Sequence, residues 1–209
     1  MAKLYFKFGA MGSSKTAQAL MTKFNYEEKQ KNVWLIKPAT DNRDDRLDSE
    51  GNISTEIWSR IGLHAPAEAI RADEDISLLF NSKSKKNKID VIICDECQFL
   101  TEKQVNDLKF IADELDVPVL CFGLRSDFQT KLFPGSKRLF EIADSISEIK
   151  SICRCGRKAT VNARFDDFGR IIIEGDQVCI GGNDRYEGMC YKCYMKLINK
   201  QINNNKEGV

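Results

Sequence analysis

Net charge is nearly absent from this sequence: 32 lysines and arginines stand against 31 aspartates and glutamates in 209 residues. Such a balance leaves no global basic field for a nucleic acid or an anionic membrane surface, and it favours small, locally bound ligands. No apolar run reaches membrane-spanning length. The first eight residues alternate polar and apolar side chains and lack the long apolar core of an export signal. The eight cysteines therefore read as reduced thiols or metal ligands, not as a disulfide framework, and the expected compartment is the cytoplasm. No internal repeat is visible. The one histidine, His64, stands isolated and receives no role.

What is present is ordinary core-forming material, 42% hydrophobic, enough for one full domain and a small appendage. Near-continuous apolar runs at 4–8, 33–36, 89–94 and 117–122 read as parallel strands buried on both faces. Between them, helical patterns run over 15–28, around 73–80, over 101–114 and over 136–146. Strand alternating with helix predicts a doubly wound α/β domain over 1–149. The polar runs 40–52 and 82–88 read as exposed loops. After 149 the composition shifts to cysteines bracketing a Gly- and Asp-rich segment, which predicts a small zinc-ribbon-like β domain over 150–195. The polar stretch 196–209 reads as a flexible tail.

Gly9-Ala10-Met11-Gly12-Ser13-Ser14-Lys15-Thr16 nearly matches the phosphate-loop pattern G-x-x-x-x-G-K-[ST], with Ser14 in place of the last glycine. A strand before it and an amphipathic helix after it let backbone N–H groups at the helix start cradle phosphates. Lys15 would reach the β and γ phosphates of ATP, and Thr16 would ligate Mg2+. The apolar run ending in Cys94 delivers Asp95 and Glu96 to the carboxyl end of a strand, where open α/β sheets bind ligands. Asp95 is placed to hold magnesium, directly or through water. Glu96 could orient a water or accept a proton from a substrate hydroxyl, the choice that separates an ATPase from a kinase.

Cys153-Arg154-Cys155 and Cys190-Tyr191-Lys192-Cys193 form two pairs at about a zinc-ribbon interval. Four thiolates close a tetrahedral site and leave no open position, so Zn2+ here would be structural. The first pair is one residue shorter than usual, and Cys179 is an alternative fourth ligand. Cys94, Cys97 and Cys121 lie in or beside core strands and read as packing residues.

Together with Asp95-Glu96-Cys97-Gln98-Phe99, Gly123-Leu124-Arg125-Ser126-Asp127-Phe128 and Ile180-Gly181-Gly182-Asn183-Asp184-Arg185-Tyr186, the phosphate loop resembles the zinc-containing cytosolic thymidine kinases. That resemblance implies transfer of the ATP γ-phosphoryl group to the 5′-hydroxyl of thymidine, or of deoxyuridine, with Glu96 as the base. It implies that Asp95, Glu96, Cys97 and Gln98 flank the phosphates and that Phe128 stacks near the base. Met11, Leu124 and Tyr186 would surround the thymine methyl, and backbone groups of Gln177, Val178, Cys179, Ile180 and Gly181 would bind the nucleoside. It further implies a closing loop over about 163–180, a homotetramer, and feedback by thymidine triphosphate. Neither a nucleic acid nor a membrane is an implied partner.

The sequence departs from the family pattern at Ser14, at Arg125 where an acidic residue is common, at Arg60 where a histidine is common, and in the shortened first cysteine pair. Lys37, Asp41 and Arg43 resemble a family element near the phosphates. Rival readings are a nucleotide-switched module acting on nucleic acids and a kinase for another nucleoside, the first disfavoured by the missing basic aromatic stripe.

Overall fold

The computed structural model describes residues 1–41, 46–47, 53–177 and 186–207, with 46–47, 53–54 and 204–207 described by their backbone alone. The chain opens with β1 (Leu4–Phe8), α1 (Lys15–Glu27) and β2 (Val33–Pro38). Two short antiparallel pairs follow, β3 (Arg46–Leu47) with β4 (Ile53–Ser54) and β5 (Glu56–Trp58) with β6 (His64–Pro66). Next come β7 (Glu68–Ile70), α2 (Ile76–Ser84), β8 (Val91–Cys94), a 3-10 turn at Cys97–Phe99, α3 (Glu102–Glu114), β9 (Val119–Gly123), α4 (Pro134–Ile142) and β10 (Ser145–Glu148). The smaller part holds β11 (Ser151–Ile152), β12 (Lys158–Ala159), β13 (Val161–Phe165), β14 (Ile171–Ile172), β15 (Tyr186–Met189) and α5 (Tyr191–Glu207).

Six strands form one sheet in the order β10-β1-β9-β8-β2-β7, every neighbour parallel. Because side chains alternate along a strand, each apolar run feeds two cores at once. On one face Leu4, Phe6, Ile36, Ile92 and Val119 meet Phe80, Leu108, Ile111 and Leu139 of α2, α3 and α4. On the other, Leu35, Val91, Ile93, Leu120 and Phe122 meet Ala19 and Leu20 of α1 and Ile57 and Ala65 of the β5–β6 pair. The doubly wound α/β reading therefore holds, with a β-hairpin helping α1 cover its face. No helix among the described residues is long and apolar enough to cross a membrane.

Several boundaries differ from the sequence reading. The helix expected over 136–146 stops at Ile142, and Ser145–Glu148 is the edge strand β10 beside β1. Asp144 explains the break: its carboxylate accepts the Leu4 amide at 2.8 Å and the Lys109 ammonium at 2.6 Å, pinning the chain to the start of β1. The fourth strand begins two residues late because Pro118 has no amide to give the ladder, although its carbonyl accepts Ile92 N–H at 3.0 Å. Helix α2 starts at Ile76 behind Asp75, whose side chain accepts Leu78 N–H at 2.9 Å, and it absorbs residues 82–84 that read as loop. The boundary expected at 195 falls within α5, where Met195, Leu197 and Ile198 pack on a small separate core of Cys153, Val161, Ala163, Ile171, Met189, Cys190 and Tyr194.

Candidate functional site

The chain leaves the carboxyl ends of β1, β8 and β9 side by side, and those three exits carry residues 9–16, Asp95-Glu96 and 124–133. Gly9 is required by space: a Cβ there would lie 2.4 Å from Ser13 Oγ and 2.6 Å from the Ile149 carbonyl oxygen. Gly12 and Ser14 both take left-handed backbone, at φ 73 and 60. Ser14 thus adopts the conformation for which the loop pattern reserves a glycine, and its side chain makes no capping bond to α1. Ser14→Gly is expected to stabilise the protein by about 1 kcal/mol in urea denaturation without loss of activity, since the strain disappears and no side-chain bond is forfeited.

Lys15 is buried within the loop, its Nζ donating to the Ala10 carbonyl at 3.0 Å and to Ser13 Oγ at 3.4 Å. Burial lowers its pKa below the ordinary lysine value, opposed by the Glu96 and Asp95 carboxylates. Burial, with the negative Glu96 beside it, pushes the Asp95 carboxyl up to about 7, against a hydrogen bond with the Thr16 side chain and the charge of Lys15. Asp95 Oδ1 is buried and has no hydrogen-bond partner among the described residues. An orphaned carboxylate oxygen beside a threonine hydroxyl is the kind of oxygen pair a hard divalent cation takes, so Thr16 and Asp95 fit magnesium. Such an ion would favour the ionised carboxylate.

Glu96 also sits in left-handed backbone, φ 50, as the residue before the Cys97–Phe99 turn. Its Oε2 accepts a short hydrogen bond from Gln98 Nε2, while Gln98 Oε1 accepts Leu124 N–H at 2.9 Å. Gln98 is fully buried and so ties the Glu96 carboxylate to the exit of β9. Of the residues expected at the nucleotide, Met11 to Thr16, Asp95 and Glu96 line one cleft, together with Asp41 and Trp58 to Ile61. Gly9, Ala10, Cys97 and Gln98 do not line it. Cys97, with Cys94 and Cys121, is buried in the core as read from the sequence.

Of the residues expected at the nucleoside, Met11, Phe128, Gln177 and Tyr186 make contacts across or beside the seam between the two parts, and Leu124 lies within the larger part. Leu124 is pinned at both ends, its N–H on Gln98 and its carbonyl accepting Ser136 Oγ–H at 2.5 Å. Met11 N–H is taken by Asn162 Oδ1 at 2.8 Å, and the Gly188 backbone lies against the Met11 carbonyl so closely that a Cβ would sit 2.5 Å from it. Phe128 is fully buried, and the Arg164 guanidinium lies over its ring at 5.2 Å and over that of Tyr186 at 5.9 Å. Gln177 donates to Asp127 Oδ2 at 2.8 Å. Val178, Cys179, Ile180 and Gly181, like Arg43, lie outside the described residues. The segment expected as a loop over 163–180 contains strands: β13 pairs with β14 and with β15.

Asn162 and Arg164 escaped the sequence reading. The available signal was the alternation Val161-Asn162-Ala163-Arg164-Phe165, which puts two polar side chains on one face of a short strand. Asn162 is buried and also donates from Nδ2 to the Ser126 carbonyl at 2.8 Å, joining the phosphate loop to the loop after β9. Arg125, where the family pattern is acidic, donates to the Thr160 carbonyl at 2.7 Å and serves the same seam. Arg60, at the tip of the β5–β6 pair, reaches the phosphate loop: its Nη1 is 4.0 Å from where a Cβ on Gly12 would stand.

The four sulfurs of Cys153, Cys155, Cys190 and Cys193 lie within 4.8 Å of one another, with Cys155 3.6 Å from both Cys153 and Cys190. A zinc–sulfur distance of about 2.3 Å gives a tetrahedral edge of roughly 3.8 Å, so the cluster fits a zinc site of four thiolates. The shortened pair reaches because Cys153–Arg157 is a tight turn, with Cys153 N–H on the Arg157 carbonyl at 2.7 Å and Gly156 at φ 82. The second pair opens α5, and Tyr194 beside it donates its hydroxyl to the buried Phe128 carbonyl at 2.6 Å.

Comparison with known proteins finds similar sequences over nearly the whole chain. The family model described as thymidine kinase matches residues 2–194. A thymidine kinase of Vibrio cholerae serotype O1 is 42% identical over 200 residues, 96% of this chain and 100% of the relative. One from Shewanella oneidensis is 38% identical over 198 residues, 95% of this chain and 99% of the relative. One from Photorhabdus laumondii is 39% identical over 209 residues, the full length of both.

Proposed function

The chain belongs to the thymidine kinase family, and from that premise we propose that Glu96 is the base that takes the proton from the 5′-hydroxyl of thymidine. The enzyme is an ATP:thymidine 5′-phosphotransferase of nucleotide salvage, and its substrates are thymidine and ATP with Mg2+. The observation that carries the role of Glu96 is its left-handed backbone next to Asp95, with its carboxylate oriented by buried Gln98. Gln30, Asp116 and Thr130 share that backbone region without lining the cleft, but Glu96 lines it beside Asp95, and such conformations cluster at functional sites.

Phosphoryl transfer passes through a loose transition state, so charge neutralisation and alignment supply most of the rate. Residues 9–16 present backbone donors to the phosphates, and Lys15 turns from its loop carbonyl to the β and γ phosphates. Thr16 and Asp95 would hold magnesium, which when bound neutralises phosphate charge. Glu96 draws the 5′-oxygen into line and removes its proton. Met11, Leu124, Phe128 and Tyr186, with the backbone of Gln177 to Gly181, form the nucleoside side in this reading, and Asn162 holds Met11 in register with it.

Residues 1–149 form the nucleotide-binding domain in this reading, and the chain from 150 into α5 forms a zinc domain that carries the closing loop. Zinc at Cys153, Cys155, Cys190 and Cys193 is supported by the sulfur spacing. A cytoplasmic homotetramer inhibited by thymidine triphosphate, acting without nucleic acid or membrane, completes the proposal and rests on the family resemblance. Incubation with γ-labelled ATP and a nucleoside panel is expected to label thymidine and deoxyuridine. Hydrolysis stimulated by polynucleotide with no labelled nucleoside would overturn the reading.

A further inference from the structure

Arg164 has an environment that fold stability alone does not account for. It stands on β13 directly across from Tyr186 of β15, two residues beyond Asn162 on the same face. Its guanidinium lies over the rings of Phe128 and Tyr186 and makes one long hydrogen bond, from Nη1 to the Asp176 carbonyl at 3.3 Å. Its Nε is buried and has no hydrogen-bond partner among the described residues. A buried N–H without an acceptor is costly, and such groups in native proteins mark a missing partner or a functional use.

Position along the strand indicates what that partner is. Asn162 touches the phosphate loop at Met11, and Arg164 is about 6.6 Å further along at the usual rise per residue. That offset carries Arg164 from the phosphate loop toward the rings of Phe128 and Tyr186. The guanidinium stands against two flat rings, and it is a planar fork that matches carbonyl oxygens in a defined plane. A neutral pyrimidine-dione supplies a flat ring edged by two carbonyls.

We propose that Arg164 is a specificity-determining residue that donates a hydrogen bond to a ring carbonyl of the pyrimidine; this rests on the thymidine kinase reading above. A phosphate is a poorer fit, because the phosphate loop is served by Lys15 and the strand offset carries Arg164 away from it.

The test is steady-state kinetics of wild type, Arg164→Met and Arg164→Lys with thymidine, 2-thiothymidine and 4-thiothymidine. Loss of a charge-assisted hydrogen bond should raise the thymidine KM of Arg164→Met by about 10- to 100-fold. The KM for ATP should stay within about twofold and kcat should change far less than the thymidine KM, a split that uniform ground-state binding produces and a general loosening of the fold does not. On wild type, sulfur at the contacted position should carry a comparable penalty; on Arg164→Met that penalty should vanish, identifying O2 or O4 as the acceptor. Unchanged thymidine KM, or thio penalties that persist undiminished in the variant, overturns the proposal. If Arg164→Met does not fold, the same comparison on Arg164→Lys decides it, because lysine keeps the cation but not the fork. Wild type that phosphorylates no thymidine would instead overturn the enzyme reading itself.

Discussion

Glu96→Gln is expected to retain ATP binding and to lose roughly 10²- to 10⁴-fold in thymidine turnover, the range of general-base contributions. Glutamine is isosteric, so it keeps the left-handed turn that precedes Cys97–Phe99. Its side chain can still bond Gln98, with one amide reoriented. Lys15 loses one of the two carboxylates that oppose the effect of its burial but keeps its bonds to Ala10 and Ser13. The ATP KM should therefore stay near wild type while kcat collapses, the pattern of an interaction made chiefly in the transition state. Isothermal titration with a non-hydrolysable ATP analogue, beside a labelled-ATP turnover assay, separates the two quantities. Near-normal thymidine phosphorylation would remove Glu96 from the role of base and leave alignment by Lys15 and the loop as the whole of catalysis.

The central fold was readable because its signals are local. Continuous apolar strands buried on both faces, a glycine loop entering a helix and a carboxylate pair ending a strand each need only a few adjacent residues. What failed was the edge and the seam. Strand β10 has two exposed residues in four and no apolar run, and only its pairing with β1, 140 residues away, makes it a strand. The seam is likewise built from distant pairs: Met11 with Asn162, Ser126 with Asn162, Phe128 with Tyr194. No spacing rule reports such pairs, because each partner alone is an ordinary polar or aromatic residue. Family resemblance found Phe128 and Tyr186 but not the arginine between them. The family's pattern explains Ser14 only as a departure, whereas its φ of 60 shows the loop geometry kept at the cost of local strain.

Removing zinc is expected to have the largest effect on the fold. Among the described residues the smaller core holds seven buried side chains, two of them cysteines of the proposed zinc site, which is little apolar area against the entropy of ordering the small domain. Structural zinc sites contribute apparent binding energies of about 10–16 kcal/mol in isolated fingers, more than such a core supplies. A Cys190→Ser, Cys193→Ser double variant should lose about one zinc per chain by elemental analysis, and its small domain should become protease-sensitive. The parallel sheet has its own two cores and should survive, giving a separate, later unfolding transition. Activity should fall nevertheless, since β13 and α5 carry the bonds from Asn162 to Met11 and from Tyr194 to Phe128. The coupling gives the experiment its force: with zinc gone, nucleoside binding should weaken before ATP binding does, because the phosphate loop retains its contacts with the sheet while Phe128 and Tyr186 lose their partner strand. Metal-free protein that is fully folded and active would show that the four thiols are only a packed cluster.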